Sequence, residues 1–201
     1  MIIDRIIEID QSATLWLNGF NSPAMDQFWI FMSDKLVWFP AYLILIIVIF
    51  LRLGWKKAIP VVISIILTII ICDQISLHVK NGIERLRPMF TSEMIDGGLH
   101  YPSNRYGDIY GFFSGHASNS FGLVASALVG FSNDRNHSYN TFAVLGYLWA
   151  TLVSISRVMI GRHYLGDIVV GALFGLLVGY SIGILTKYLL DKYLPLTTEE
   201  A

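Results

Sequence analysis

The sequence predicts an all-α integral membrane helical bundle, with five to six transmembrane helices and an N-terminal interfacial amphipathic helix. Three observations predict it. Apolar residues make up 54% of the 201 residues, and the mean hydropathy is +0.57. Charged residues make up only 14%, against about 25% in an ordinary soluble domain. Those charges gather at the ends of long uncharged runs, each close to the roughly 20 residues that a helix needs to cross a bilayer. The same composition excludes other classes. A net charge of −1 offers no basic excess for nucleic acid, and Cys72, the single cysteine, excludes a disulfide scaffold. A disordered chain would be poorer in apolar residues.

The elements follow in order. Residues 1–34 form the interfacial segment, in which Ile2, Ile3, Ile6, Ile7 and Ile9 alternate with Asp4, Arg5, Glu8 and Asp10 at helical spacing. A short helix over 26–32 would make a sixth span if it entered the membrane. Five apolar runs follow, at 36–51, 58–79, 112–132, 141–156 and 168–186. Between them lie a basic turn at 52–57, a polar loop at 80–111 whose part 89–111 caps the site, and short loops at 131–140 and 157–166. The chain 1–201 thus reads as one domain. Alternation puts the long loop and the 157–166 loop on one side of the membrane. The dense cations Arg52, Lys56 and Lys57 mark the opposite side as cytoplasmic.

Three stretches on the outer side concentrate chemistry. The first runs from Lys80 to Arg87-Pro88. The second is Ser114-Gly115-His116. The third holds Ser156-Arg157, His163 and Asp167. Lys80, Arg87 and Arg157 suit a phosphoryl group, because arginine presents a planar fork to phosphate oxygens and lysine a point charge. Ser114 and Gly115 precede a helix, where backbone N–H groups can face an anion. His163 and Asp167 stand at i and i+4 on one helical face, so the carboxylate can fix the imidazole tautomer and raise its basicity. A neutral, oriented histidine can attack phosphorus, and His116 remains as a general acid. No His, Cys or carboxylate set has metal-ligand spacing, and no cofactor is expected.

These stretches resemble the type 2 phosphatidic acid phosphatase superfamily of membrane lipid phosphatases. Lys80 and Arg87-Pro88, separated by six residues, match its first motif. Ser156, Arg157, His163 and Asp167 match its third. In the second, Ser114, Gly115 and His116 match, but Phe113 stands where the family usually has proline. Proline supplies rigidity and no catalytic atom, so a looser constraint without lost activity is expected. The resemblance implies that His163 becomes phosphohistidine, that Asp167 orients it, and that His116 protonates the leaving group and then activates water. It implies that Lys80, Arg87, Ser114, Gly115 and Arg157 hold the phosphate. It also implies a lipid phosphate substrate in a bilayer: undecaprenyl pyrophosphate, lipid A phosphate, phosphatidylglycerol phosphate or phosphatidic acid. A polyprenyl pyrophosphate or lipid A phosphate is preferred, with the chain in a bacterial inner membrane and its site facing the periplasm. The alternatives are a non-catalytic lipid-phosphate-binding or transport protein, and a vanadium-dependent haloperoxidase, which the apolar runs disfavour.

Outside the motifs, Asp73 is an acidic residue within an apolar run and suggests a supporting role near Lys80. Arg85 and Arg162 read as loop or head-group contacts. Tyr101, Arg105, Tyr106 and Tyr110 are candidates for touching a head group. His78, His100 and His137 show no partner in the sequence. Gly171, Gly175, Gly179 and Gly183 form a slanted ridge that suits close packing within the bundle, or else a homodimer.

Overall fold

The computed structural model describes residues 2–102 and 108–194. Arg105, Tyr106 and the acidic tail beyond 194 lie outside the described residues. Among those described, the chain is helical: α1 (Ile2–Asn18), α2 (Pro23–Ser33), α3 (Phe39–Ile83), α4 (Ser92–Asp96), α5 (Gly115–Phe131), α6 (Asn140–Met159) and α7 (Leu165–Tyr193). A single antiparallel bridge joins Leu86 to Tyr110 and pins the two ends of the long loop together.

Helix α3 holds 45 residues, so a straight rod would be about 67 Å long, more than twice a hydrocarbon core of about 30 Å. It breaks at Gly54, with φ 68° and ψ 160°, a backbone state that glycine adopts without steric cost. Lys35, just before α3, and Lys80, near its end, line the same cavity, so the limbs 39–53 and 55–83 form a hairpin. Beside the break, Arg52 meets His137 of the α5–α6 loop at 2.6 Å. The expected apolar runs thus fall on the two limbs of α3 and on α5, α6 and α7. Three stretches, Lys35–Ile83, Asn140–Met159 and Leu165–Tyr193, are long and apolar enough to cross a membrane. Helix α2, with 11 residues, is too short for a sixth crossing.

Helix α5 is the centre of the bundle and packs against α3, α6 and α7. Its sequence explains why: Ala117, Ser118, Gly122, Ala125, Ser126, Ala127 and Gly130 are small, so three neighbours can approach at once. The main apolar core joins Ile49, Val61, Ile65, Val124 and Phe131 at the end away from the site. Leucine, isoleucine and valine on the outer faces of α3, α6 and α7 stay exposed, among them Ile44, Ile63, Leu145, Leu173 and Leu177. Exposed apolar area on this scale belongs against lipid.

The glycine ridge is used inside the chain. A Cβ on Gly171 would lie 2.5 Å from the Ser114 carbonyl oxygen, one on Gly175 2.2 Å from that of Ser118, and one on Gly179 2.4 Å from that of Gly122. All four glycines are buried. The ridge therefore serves packing within the bundle, the first of its two expected uses: the face is covered by α5.

Two further expectations change. Helix α1 presents its isoleucines outward, as an interfacial helix should, but its polar side is not simply wet. Asp10, Thr14 and Asn18, one turn apart, face the protein, and Thr14 and Asn18 are buried. The three histidines without a legible partner each have one: His100 with Asp26 at 2.8 Å, His137 with Asp134 at 2.8 Å, and His78 with the Gln74 carbonyl at 2.7 Å.

Gly175→Ala should lower the thermal midpoint in detergent by several degrees, because α5 and α7 must part at a backbone contact at a cost of about 1–3 kcal/mol. Gly82→Ala, where a Cβ meets nothing within 4 Å, should leave the midpoint unchanged or raise it slightly.

Candidate active site

The site is built around a buried carboxylate. Asp167 stands in the first turn of α7 and is 0% exposed. Its Oδ2 accepts the Tyr164 N–H at 3.1 Å and faces His163 Nδ1 at 3.2 Å, and its Oδ1 accepts from Arg85 Nη1 at 2.7 Å. His163 sits in the tight turn from α6 to α7, where its N–H reaches back to the Arg157 carbonyl at 3.2 Å. That turn passes through Gly161 at φ +72°, where any Cβ would also lie 2.8 Å from that of Tyr101.

The imidazole tautomer follows from its neighbours. Arg87 Nη1 lies 3.1 Å from His163 Nε2, and a guanidinium only donates. Nε2 must then be the acceptor, so Nδ1 carries the proton and donates to Asp167. Burial, and then the cations Arg87, Arg157 and Lys80, hold His163 well below the ordinary imidazole range, so the ring is neutral. Its Nε2 lone pair points into a cavity of about 390 Å³ lined by five cations, Lys35, Lys80, Arg87, Arg157 and Arg162, against two carboxylates, Asp73 and Asp108. Arg87 is fixed by the Asp108 and Arg162 carbonyls at 2.5 and 3.2 Å. Arg157 is 4% exposed; Nη1 donates to Ser33 Oγ, and Nε has no hydrogen-bond partner among the described residues. A buried unpaired guanidinium N–H is costly unless an acceptor comes to it. An anion in the cavity would supply one.

Ser33, the last residue of α2, thus holds Arg157, and its backbone also hydrogen-bonds His116. A second chamber of about 260 Å³, mostly apolar, adjoins the polar one, between both limbs of α3 and helices α5 and α6. The two chambers share three lining residues: Lys35, Asp73 and His116.

The structure therefore gathers Lys80, Arg87, Gly115, His116, Arg157 and His163 around one cavity, with Asp167 behind His163. Ser114 is the exception. It is 0% exposed, its N–H donates to the Asp167 carbonyl at 3.1 Å, and its hydroxyl caps the Ala117 N–H at 3.4 Å. Its N–H ties α5 to α7 and does not face the cavity. Phe113 is not a loosened proline position either: it is buried, its ring lies 5.0 Å from that of Phe174, and its carbonyl accepts from Ser76 Oγ at 3.1 Å.

Several contributors escaped the sequence reading. Arg85 is no head-group contact; it bridges Asp167 and Asp10, at 2.7 Å each, and stacks 3.8 Å from the Tyr164 ring. Asp10 also accepts the Gly166 N–H at 2.7 Å, and Thr14 Oγ1 the Leu165 N–H at 2.9 Å. Helix α1 therefore caps the N-terminus of α7. Asn18 Nδ2 meets the carbonyls of His100, Val158 and Met159. The signal was present: Asp10, Thr14 and Asn18 are spaced by four residues, a polar stripe along one face of the amphipathic helix. Gly111 closes the back, since a Cβ there would lie 3.2 Å from Arg87 Cγ and 3.3 Å from Asp167 Oδ2.

The depressed His163 has a consequence for stability. An unfolded chain protonates this ring near about pH 6.5; the folded one does so only well below that. Between the two values the unfolded state binds the extra proton, so stability rises with pH and is lost on acidification. The thermal midpoint of His163→Gln should fall less than that of the native chain between about pH 7.5 and about pH 5.5.

Known proteins resemble this chain in sequence and in fold. The model of the PAP2 superfamily matches residues 57–191, which contain all three motifs. The lipid A 4'-phosphatase of Bacteroides thetaiotaomicron is 34% identical over 175 residues, covering 87% of this chain and 75% of that protein. The lipid A 4'-phosphatase of Porphyromonas gingivalis is 30% identical over 196 residues, covering 96% and 79%. Among solved structures, the first transmembrane PAP2 type phosphatidylglycerolphosphate phosphatase from Bacillus subtilis superposes with a TM-score of 0.69 at 17% identity, over 96% of this chain and 90% of that one. Aquifex aeolicus LpxE superposes with a TM-score of 0.60 at 19% identity, over 88% and 93%. The motifs, the fold and the matched residues converge, and the chain belongs to the PAP2 superfamily.

Proposed function

We propose that the chain is a membrane phosphatase that removes a phosphate monoester from a lipid of the lipid A 4'-phosphate type, through a phosphohistidine at His163. The observation that carries the reading is the state of His163: a neutral ring, its proton on Nδ1 toward Asp167, and its Nε2 lone pair facing a cavity of cations. The names of the two relatives at 34% and 30% identity support the choice of lipid.

In the first step Nε2 attacks phosphorus, the ester P–O bond breaks, and the leaving oxygen takes a proton from His116. Arg87 turns its fork from Nε2 to a phosphate oxygen as phosphorus approaches. Arg157 offers its unpaired Nε–H, Lys80 adds charge, and the Gly115 N–H points along the start of α5. In the second step His116 takes a proton from water, the water oxygen attacks phosphorus, and the P–N bond breaks. Ser114 contributes by fixing the loop. The outward isoleucines of α1 suit the outer interface of a bacterial inner membrane, with the site on the periplasmic side, opposite the basic turn that carries Arg52.

Purified protein should release phosphate from a lipid A 4'-phosphate substrate in EDTA, and His163→Ala should abolish release. Retained turnover in that variant would reject the reading. With p-nitrophenyl phosphate, whose leaving group needs no proton, His116→Ala should give a burst of nitrophenol followed by slow turnover, as the second step alone loses its base.

Arg85 and Asp10 act here as positioning residues. Arg85→Ala should lower kcat about 10–100-fold and move the acid limb of the pH profile, since Asp167 loses its partner, with partial rescue in Arg85→Lys. An unmoved pH profile would make the bridge merely structural.

A further inference from the structure

The two chambers meet at Lys35, Asp73 and His116. In an amphiphilic substrate the phosphate belongs with the cations and the hydrocarbon with the apolar chamber. The group joining them must then pass between these three side chains. His116 is the general acid of the proposed reaction, which places the leaving oxygen at this same junction. Asp73 and Lys35 have no part in that reaction, yet they flank it.

Asp73 is held for such a position. It lies seven residues before Lys80, about 10 Å deeper along α3, at the limit of the polar chamber. Its Oδ1 accepts from Asn119 Nδ2 at 2.7 Å. A Cβ on Gly115 would lie 3.6 Å from Asp73 Oδ1 and 3.8 Å from Lys80 Nζ. The carboxylate therefore stands beside the phosphate cations and still borders the apolar side. A carboxylate accepts several donors at once, so its bond to Asn119 leaves room for a ligand donor.

We propose that Asp73 and Lys35 read the group bonded to the phosphate. Asp73 takes a hydrogen bond from a hydroxyl or amide N–H of the leaving group, and Lys35 donates to an ester or hydroxyl oxygen of the same group. A neutral, hydroxyl-bearing head group satisfies both side chains. The second phosphate of a pyrophosphate satisfies Lys35 but confronts Asp73, where like charges repel. The junction selects lipid monoesters with a polyol or sugar head over polyprenyl pyrophosphates. This rests on the phosphatase reading above and fixes the substrate class within it.

The test compares kcat/KM for phosphate release from a lipid A 4'-phosphate substrate and from undecaprenyl pyrophosphate, using the full chain in detergent. Asp73→Asn keeps the shape and the bond to Asn119 but removes the charge. It should lower the monoester-to-pyrophosphate ratio about tenfold. Lys35→Ala should move the ratio the other way, which a general loss of structure does not do. Asp73→Ser serves if the asparagine variant folds poorly. Equal losses on both lipids in the Asp73 variants would overturn the assignment and make Asp73 a support for Lys80. A native chain that releases phosphate from neither lipid would instead overturn the phosphatase reading, and this proposal with it.

Discussion

A carboxylate with no exposure to solvent must have every oxygen answered, and Asp167 dictates the arrangement of this site. An unpaired buried charge costs several kcal/mol. Here the answers come from three places: Arg85 after α3, the Tyr164 N–H at the start of α7, and the His163 ring between them. Arg85 is itself half of a second pair with Asp10 of α1. The N-terminal helix, the loop after α3 and the head of α7 are therefore tied to one side chain. Orientation of the His163 ring is a by-product of solving a burial problem.

The bundle delivers that arrangement through α5 and α7. Their glycine contacts let the backbones touch, and the contact nearest the site, Gly171 on the Ser114 carbonyl, sits one residue from Gly115. The Ser114 N–H then bonds the Asp167 carbonyl. The start of α5, which bears His116, and the helix bearing Asp167 are thereby registered by main-chain contacts. Phe113 adds packing against Phe174 of α7. The same registration can be reached by burial where a proline ring is missing.

Much of this was legible because it is local. The apolar runs give the limbs by length, and the spacing of His163 and Asp167 gives a close pair, although His163 stands in the turn before α7 and not on its face. Lys80, Arg87 and Arg157 mark a cluster of cations, which the structure gathers around one cavity. What was not legible depends on partners far apart in sequence. Arg85 meets Asp10 and Asp167 across separations of 75 and 82 residues, and Ser33 meets Arg157 across 124. No periodicity records such pairs. The Ser114 N–H is a different case: its place at a helix start was legible, but not that a neighbouring carbonyl already accepts it. The polar stripe of α1 was visible, yet on an amphipathic helix a polar face reads first as facing water.

The position of the site at the helix ends follows from the chemistry it serves. Cations in number would be costly at the bilayer centre, so Lys35, Lys80, Arg87, Arg157 and Arg162 collect where α3, α6 and their loops emerge. A lipid's phosphate is held at that same level by its own hydration, while its chains stay below. The enzyme needs no route through the membrane for such a molecule. It needs a polar chamber above an apolar one, with the bond to be broken at their boundary. His116 occupies that boundary, one residue inside α5, and its backbone-anchored partner Ser33 is the last residue of a helix too short to cross. Helix α2 is therefore explained by the site more than by the membrane: its length is set by the need to end beside His116 and Arg157.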